Sequence, residues 1–133
     1  MFAWGSLLAI GGGAAIGAWI RWGLGLALNP LFPTLPLGTV AANLIGGFLM
    51  GLAMEVITRH AMLTPELRLL VTTGFLGGLT TFSTFSAEIT TLLSRSEWWW
   101  ALAGIVVHVI GSLLMTTAGI VLMRALFAWG ASS

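Results

Sequence analysis

Residues 74–86 read GFLGGLTTFSTFS, with three glycines, three threonines, two serines and three phenylalanines in thirteen positions. Gly77 and Gly78 each lower helix stability by about 1 kcal/mol relative to alanine. The β-branched Thr80 and Thr81 follow at once, so the pattern predicts a helix break around residues 77–81. If helix resumes near Thr81, Phe82 and Phe85 lie at i,i+3 on one face and Ser83 and Ser86 on another. Thr84, Glu88 and Thr91 then continue a polar stripe. Hydroxyls can donate to an anion, and the edges of phenyl rings carry partial positive charge. Carbonyls released by the break are suited to a hard cation such as sodium. One short stretch thus combines features of an anion path and of a cation site.

Other polar residues in apolar surroundings extend this reading. Asn43 sits in GTVAANLIGG with Thr39 one turn before it, and its amide offers two donors to another helix or to an ion. Arg21 can snorkel to the membrane interface or draw anions into a vestibule. A bare carboxylate at Glu88 would repel anions, so it must be hydrogen-bonded, protonated or close to water. His108, with Ser112 at i+4, has no acid near it in sequence and reads as a packed or hydrogen-bonded group. His60 lies in a loop. Hydrolytic catalysis needs a nucleophile, a base and an orienting group, and no such set is present. Two scattered histidines make no metal centre, and the absence of cysteine excludes thiolate sites and disulfides.

These residues need a scaffold, and the composition names its medium. Of 133 residues 58% are hydrophobic and 7% charged, with a mean hydropathy of +1.03. Soluble domains carry about 25% charged residues, and so short a chain could not bury this much apolar surface in water. The chain therefore reads as an all-α integral membrane protein. A formal charge of +1, with no lysine or aspartate, leaves no nucleic-acid surface.

Crossing the hydrocarbon core takes about 20 mainly apolar residues as a helix. The uncharged runs, divided by NPLFPTLP at 29–36, predict four transmembrane helices near 3–28, 37–57, 67–93 and 98–125, in a single membrane domain. Apolar from the outset, with no basic residue before Arg21, the first run is expected to be a retained span and not a signal peptide. Thr64-Pro65-Glu66 predicts an N-cap with proline at N1. SRSEWWW from Ser94 supplies a short turn and interfacial tryptophans. GGGAAIG at 11–17, Gly47-x-x-x-Gly51 and Gly74-x-x-x-Gly78 put small residues on single helical faces, as close helix packing in lipid requires.

Four spans place Arg59, Arg68 and Arg124 toward one side and Arg21 and Arg95 toward the other. Three against two barely biases insertion under the positive-inside rule. A chain with no strong preference can insert both ways, which permits an antiparallel, dual-topology homodimer. A small four-helix multidrug exporter is also compatible with dual insertion, but it would need a titratable acid in its first span, and none precedes Glu55. A non-transporting scaffold held by glycine faces would leave TTFSTFS unexplained.

GGLTTFSTFS from Gly77, GTVAANLIGG around Asn43 and GGGAAIGAWIRW from Gly11 together resemble the Fluc/CrcB family of fluoride channels, over nearly the whole chain. The resemblance implies an antiparallel homodimer in the bacterial inner membrane, with two pathways that export fluoride passively and limit its toxicity. It implies that Phe82 and Phe85 turn ring edges to the ion beside Asn43, with Ser83, Thr84, Glu88 and Thr116 forming a polar track. It also implies a central structural sodium ion held by backbone carbonyls, placed at Gly77 and Thr80 of each subunit. Arg21 matches the first-span arginine, at the vestibule.

Overall fold

A computed structural model describes residues 3–60 and 62–132. Among them every regular element is helical. Helix α1 runs Trp4–Leu28 and ends in a 3₁₀ turn at Asn29–Leu31; α2 runs Leu37–Arg59. The third segment comes in pieces: α3 at Pro65–Leu69, a π-helical stretch at Leu70–Leu76, and α4 at Gly77–Leu79. After an interruption, α5 covers Phe82–Ser94. The last segment joins α6 at Trp98–Ile105, a π-helical stretch at Val106–Gly111 and α7 at Ser112–Ser132. Three helical stretches, Trp4–Leu31, Leu37–Arg59 and Trp98–Ser132, are each long and apolar enough to cross a membrane. The interrupted segment packs among them.

Local chemistry sets the ends of these elements. Asn29 Oδ1 accepts from Gly38 N at 2.8 Å, closing the proline-rich turn against the start of α2. Thr64 caps α3, accepting from Leu67 N at 3.3 Å, with Pro65 in the first turn. The turn after α5 is a Schellman closure: Ser96 N donates to Leu93 O and Glu97 N to Leu92 O, at 3.0 and 2.9 Å. Ser96 takes the left-handed position at φ 61°, where glycine is usual.

Glycine faces join the helices in pairs. A Cβ on Gly13 or Gly17 would strike the backbone of residues 70–79, and one on Gly74 or Gly78 would strike the backbone of α1. Gly51 and Gly119 bring α2 and α7 together in the same way. Gly11 and Gly12, by contrast, have nothing within 4 Å of such an atom. A Glu55 carboxylate fastens one end of the α2–α7 pair, accepting from Arg59 Nε at 2.9 Å and Arg124 Nε at 3.0 Å. The buried apolar set is small, centred on Ala42, Leu76 and Leu79 and on Phe85, Ile89, Leu92 and Ala101. Large apolar side chains instead cover the outside, as a lipid-facing surface requires, including Trp4, Trp99 and Trp129 at 77%, 82% and 74% exposure.

Candidate functional site: a helix break packed against Asn43

The interruption falls at Thr80 and Thr81, not at the glycines. Gly77 (φ −64°, ψ −36°) and Gly78 lie within α4, while Thr80 (φ −85°, ψ 155°) and Thr81 (φ −149°, ψ 117°) are extended. Two β-branched residues favour that conformation. Gly78 serves close approach instead: a Cβ there would strike Ala14 O and Ala14 Cα. Thr81 then caps the restart, its Oγ1 accepting from Thr84 N at 3.1 Å.

Asn43, reaching across from α2, holds the break. Its Oδ1 accepts from Thr81 N at 2.7 Å, and its Nδ2 donates to Thr81 O at 3.1 Å. The same Nδ2 lies 3.0 Å from His108 Nδ1, on the π-helical stretch before α7. The amide oxygen therefore takes the Thr81 N–H that the break releases, and the amino group adds a second bond to the carbonyl of the same residue, as buried backbone must be satisfied in lipid. Both amide hydrogens are engaged with protein in this arrangement. The His108 ring also packs on Phe85 at a tilt of 37°, 4.8 Å between centroids, so the partners of this histidine, which sequence spacing does not reveal, are two pathway candidates.

Phe82 and Phe85 do share a face, their rings meeting edge to face at 5.4 Å. They differ in setting, for Phe82 is 77% exposed and Phe85 only 8%. Thr81 Oγ1 donates to Thr84 Oγ1 at 3.0 Å and lies 3.3 Å from Ser83 Oγ. Ser83 and Thr84 thus form one hydroxyl cluster with the capping threonine. Thr39, one turn before Asn43, donates to Glu88 Oε1 at 2.6 Å, and Glu88 Oε2 is buried with no partner among the described residues. Thr116 Oγ1 lies 2.9 Å from Gly47 O and 3.0 Å from Ser112 O, so its hydrogen is committed to the contact between α2 and α7. Arg21 Nε donates to Gly78 O at 3.0 Å, setting a cation at the C-terminal end of the upstream half-helix.

Three cavities meet around the break. One of about 520 Å³ is lined by Arg21, Asn29, Thr39, Thr81 and Thr84. Another of about 420 Å³ takes in Thr84, Glu88, Thr91, Arg95 and Glu97. The third, of about 490 Å³, opens beside Asn43, Thr80, Thr81, Phe82, Phe85, His108 and Thr116. Thr84 borders the first two and Thr81 the first and third, so threonine hydroxyls adjoin all three cavities beside the break.

The helix break also frees backbone oxygens. Thr81 N–H, which an unbroken helix would give to Gly77 O, goes to Asn43. Thr84 N–H, which would go to Thr80 O, goes to Thr81 Oγ1. No group of three or more acidic, histidine or cysteine side chains that could bind a metal occurs among the described residues, so any cation here would depend on such carbonyls.

The chain is similar to known proteins. The sequence profile of the family described as "CrcB-like protein, Camphor Resistance (CrcB)" matches residues 8–120. A protein of Nitrosospira multiformis named "Fluoride-specific ion channel FluC" is 59% identical over 119 residues, covering 90% of this chain and 93% of its own. Proteins of the same name from Pseudomonas putida and Chromobacterium violaceum are each 60% identical, over 115 residues (86% and 91% of the two chains) and 117 residues (88% and 93%). This chain belongs to the CrcB family.

Proposed function

We propose that this protein is a fluoride-selective channel of the bacterial inner membrane that lets fluoride leave the cytoplasm passively and so limits its toxicity. The observation that carries this reading is the polar break at Thr80–Thr81, fixed by Asn43 and flanked by Phe82 and Phe85, in a chain whose relatives are named fluoride channels. Fluoride is small and strongly hydrated, so a selective path must replace its water with close donors. Hydroxyls of Ser83 and Thr84 supply them, and the ring edges of Phe82 and Phe85 add weak, confining contacts. No lysine lines the route to trap the ion, as conduction requires binding loose enough for exit.

The working unit of the proposal is an antiparallel homodimer of four-helix subunits with two pathways. Its support is physical. The cavity beside Asn43, Thr80 and Thr81 opens next to the interrupted backbone, and such backbone is tolerated in a membrane only when buried in protein or lining a water-filled cavity. A second copy would provide that cover, and the even spread of arginines permits it to insert inverted. Gly77 and Thr80 carbonyls from each subunit would hold a structural sodium ion at the centre. Their release from helical pairing suits a hard cation.

Purified protein in liposomes loaded with sodium fluoride or sodium chloride, read by ion-selective electrodes, tests the function. Fast fluoride efflux without comparable chloride efflux is expected; equal or absent flux would refute the proposal.

A further inference from the structure

The protons around Asn43 can be placed by elimination. Thr81 N is an obligate donor and Thr81 O an obligate acceptor, so the Asn43 oxygen must face the former and its amino group the latter. The second amino hydrogen then points at His108 Nδ1, 3.0 Å away. A nitrogen receiving that hydrogen carries none of its own, so the ring proton resides on Nε2. A doubly protonated ring would set N–H against N–H and cost Asn43 one of its three contacts. His108 is 4% exposed, and its Nε2 is buried with no partner among the described residues. A buried donor with no partner costs about 1–3 kcal/mol and calls for an explanation. Its ring contacts here are Asn43 and Phe85, both uncharged and both beside the same cavity.

We propose that His108 works as the neutral imidazole protonated on Nε2, orienting Asn43 through Nδ1 and keeping Nε2–H as a donor for a small permeating anion. The proposal rests on the channel reading above, and it adds a residue that both positions the break and offers the ion a hydrogen. Asn43, with both of its own hydrogens engaged, leaves that donation to its neighbour.

Full-length protein carrying ¹⁵N-histidine, reconstituted in lipid, tests this independently of transport. His108→Asn removes the His108 signals and so separates them from those of His60. The expected spectrum has a bare Nδ1 and a protonated Nε2, with the Nε2 resonance moved by sodium fluoride and not by equal sodium chloride. A proton on Nδ1, protons on both nitrogens, or no response specific to fluoride would overturn the inference. In vesicles, His108→Asn keeps an acceptor near the Nδ1 position but lacks the ring donor, and fluoride efflux should fall at least about tenfold. Efflux at the wild-type rate in a folded variant also overturns it. Absence of efflux from wild-type vesicles would defeat the channel reading while the tautomer result stood.

Discussion

Asn43 pairs with Thr81 as one peptide group pairs with another, accepting from its N–H and donating to its C=O. Asn43→Asp keeps the first bond but turns a lone pair toward Thr81 O and His108 Nδ1. Two lost hydrogen bonds at about 1 kcal/mol each lower stability by about 2 kcal/mol or more. Fluoride efflux should drop at least about tenfold, and thermal unfolding together with vesicle flux measures both. Wild-type values in either assay would show that the amide donors do not hold the break.

The two phenylalanines are expected to separate stability from transport. Phe85 is buried against His108, whereas Phe82 is open on the single chain. Phe85→Ile should cost about 1–2 kcal/mol of stability and Phe82→Ile within about 0.5 kcal/mol, while both slow fluoride efflux. If both variants conduct normally, the ring edges have no part in permeation.

Glycines alike in sequence should behave oppositely on substitution. An alanine at Gly17 would press into Phe75 O and Leu79 N, while Gly12 has open space. Gly17→Ala is expected to cost about 2 kcal/mol or more through overpacking, and Gly12→Ala to gain about 0.5–1 kcal/mol from reduced chain entropy. Comparing melting temperatures in one detergent checks the contrast; equal shifts would contradict this packing.

Ser96 holds a left-handed backbone position in the turn before Trp98. Replacing it with glycine removes that strain and should raise stability by about 1 kcal/mol, leaving efflux unchanged. A lower melting temperature for Ser96→Gly would show that the serine side chain contributes something the backbone geometry does not reveal.

Dual insertion has a direct readout. A tag on the C-terminus should react with impermeant label from both faces of a sealed membrane. Labelling from one face alone would remove the antiparallel dimer from the proposal.

Much of this arrangement is legible in the residues, for identifiable reasons. Prolines at 30, 33 and 36 and the charged turns mark helix ends because they act locally. Thr64 and Pro65 announce a cap in the same way. TTFSTFS betrays its importance because polar groups at membrane depth are costly. What spacing could not show is which partner each polar group finds. Glycine pairs read as helix breakers, yet Gly77 and Gly78 stay helical and the threonines carry the extended turn, since packing against Ala14 overrides propensity. Thr39 with Glu88 and Asn43 with His108 are 49 and 65 residues apart in sequence, and only tertiary packing joins them.

The interlocked glycines of α1 and the broken segment carry a further consequence. Gly13 faces Gly74, and about one helical turn on, Gly17 fits between Phe75 O and Leu79 N while Gly78 fits against Ala14. Sliding one helix along the other by a single residue would drive a side chain into backbone. The two elements therefore share a ruler with marks one turn apart, and the ruler sets how high the break stands in the membrane. Arg21, four residues beyond Gly17, meets Gly78 O at the reading that ruler allows. Depth, for this site, is measured out in missing methyl groups.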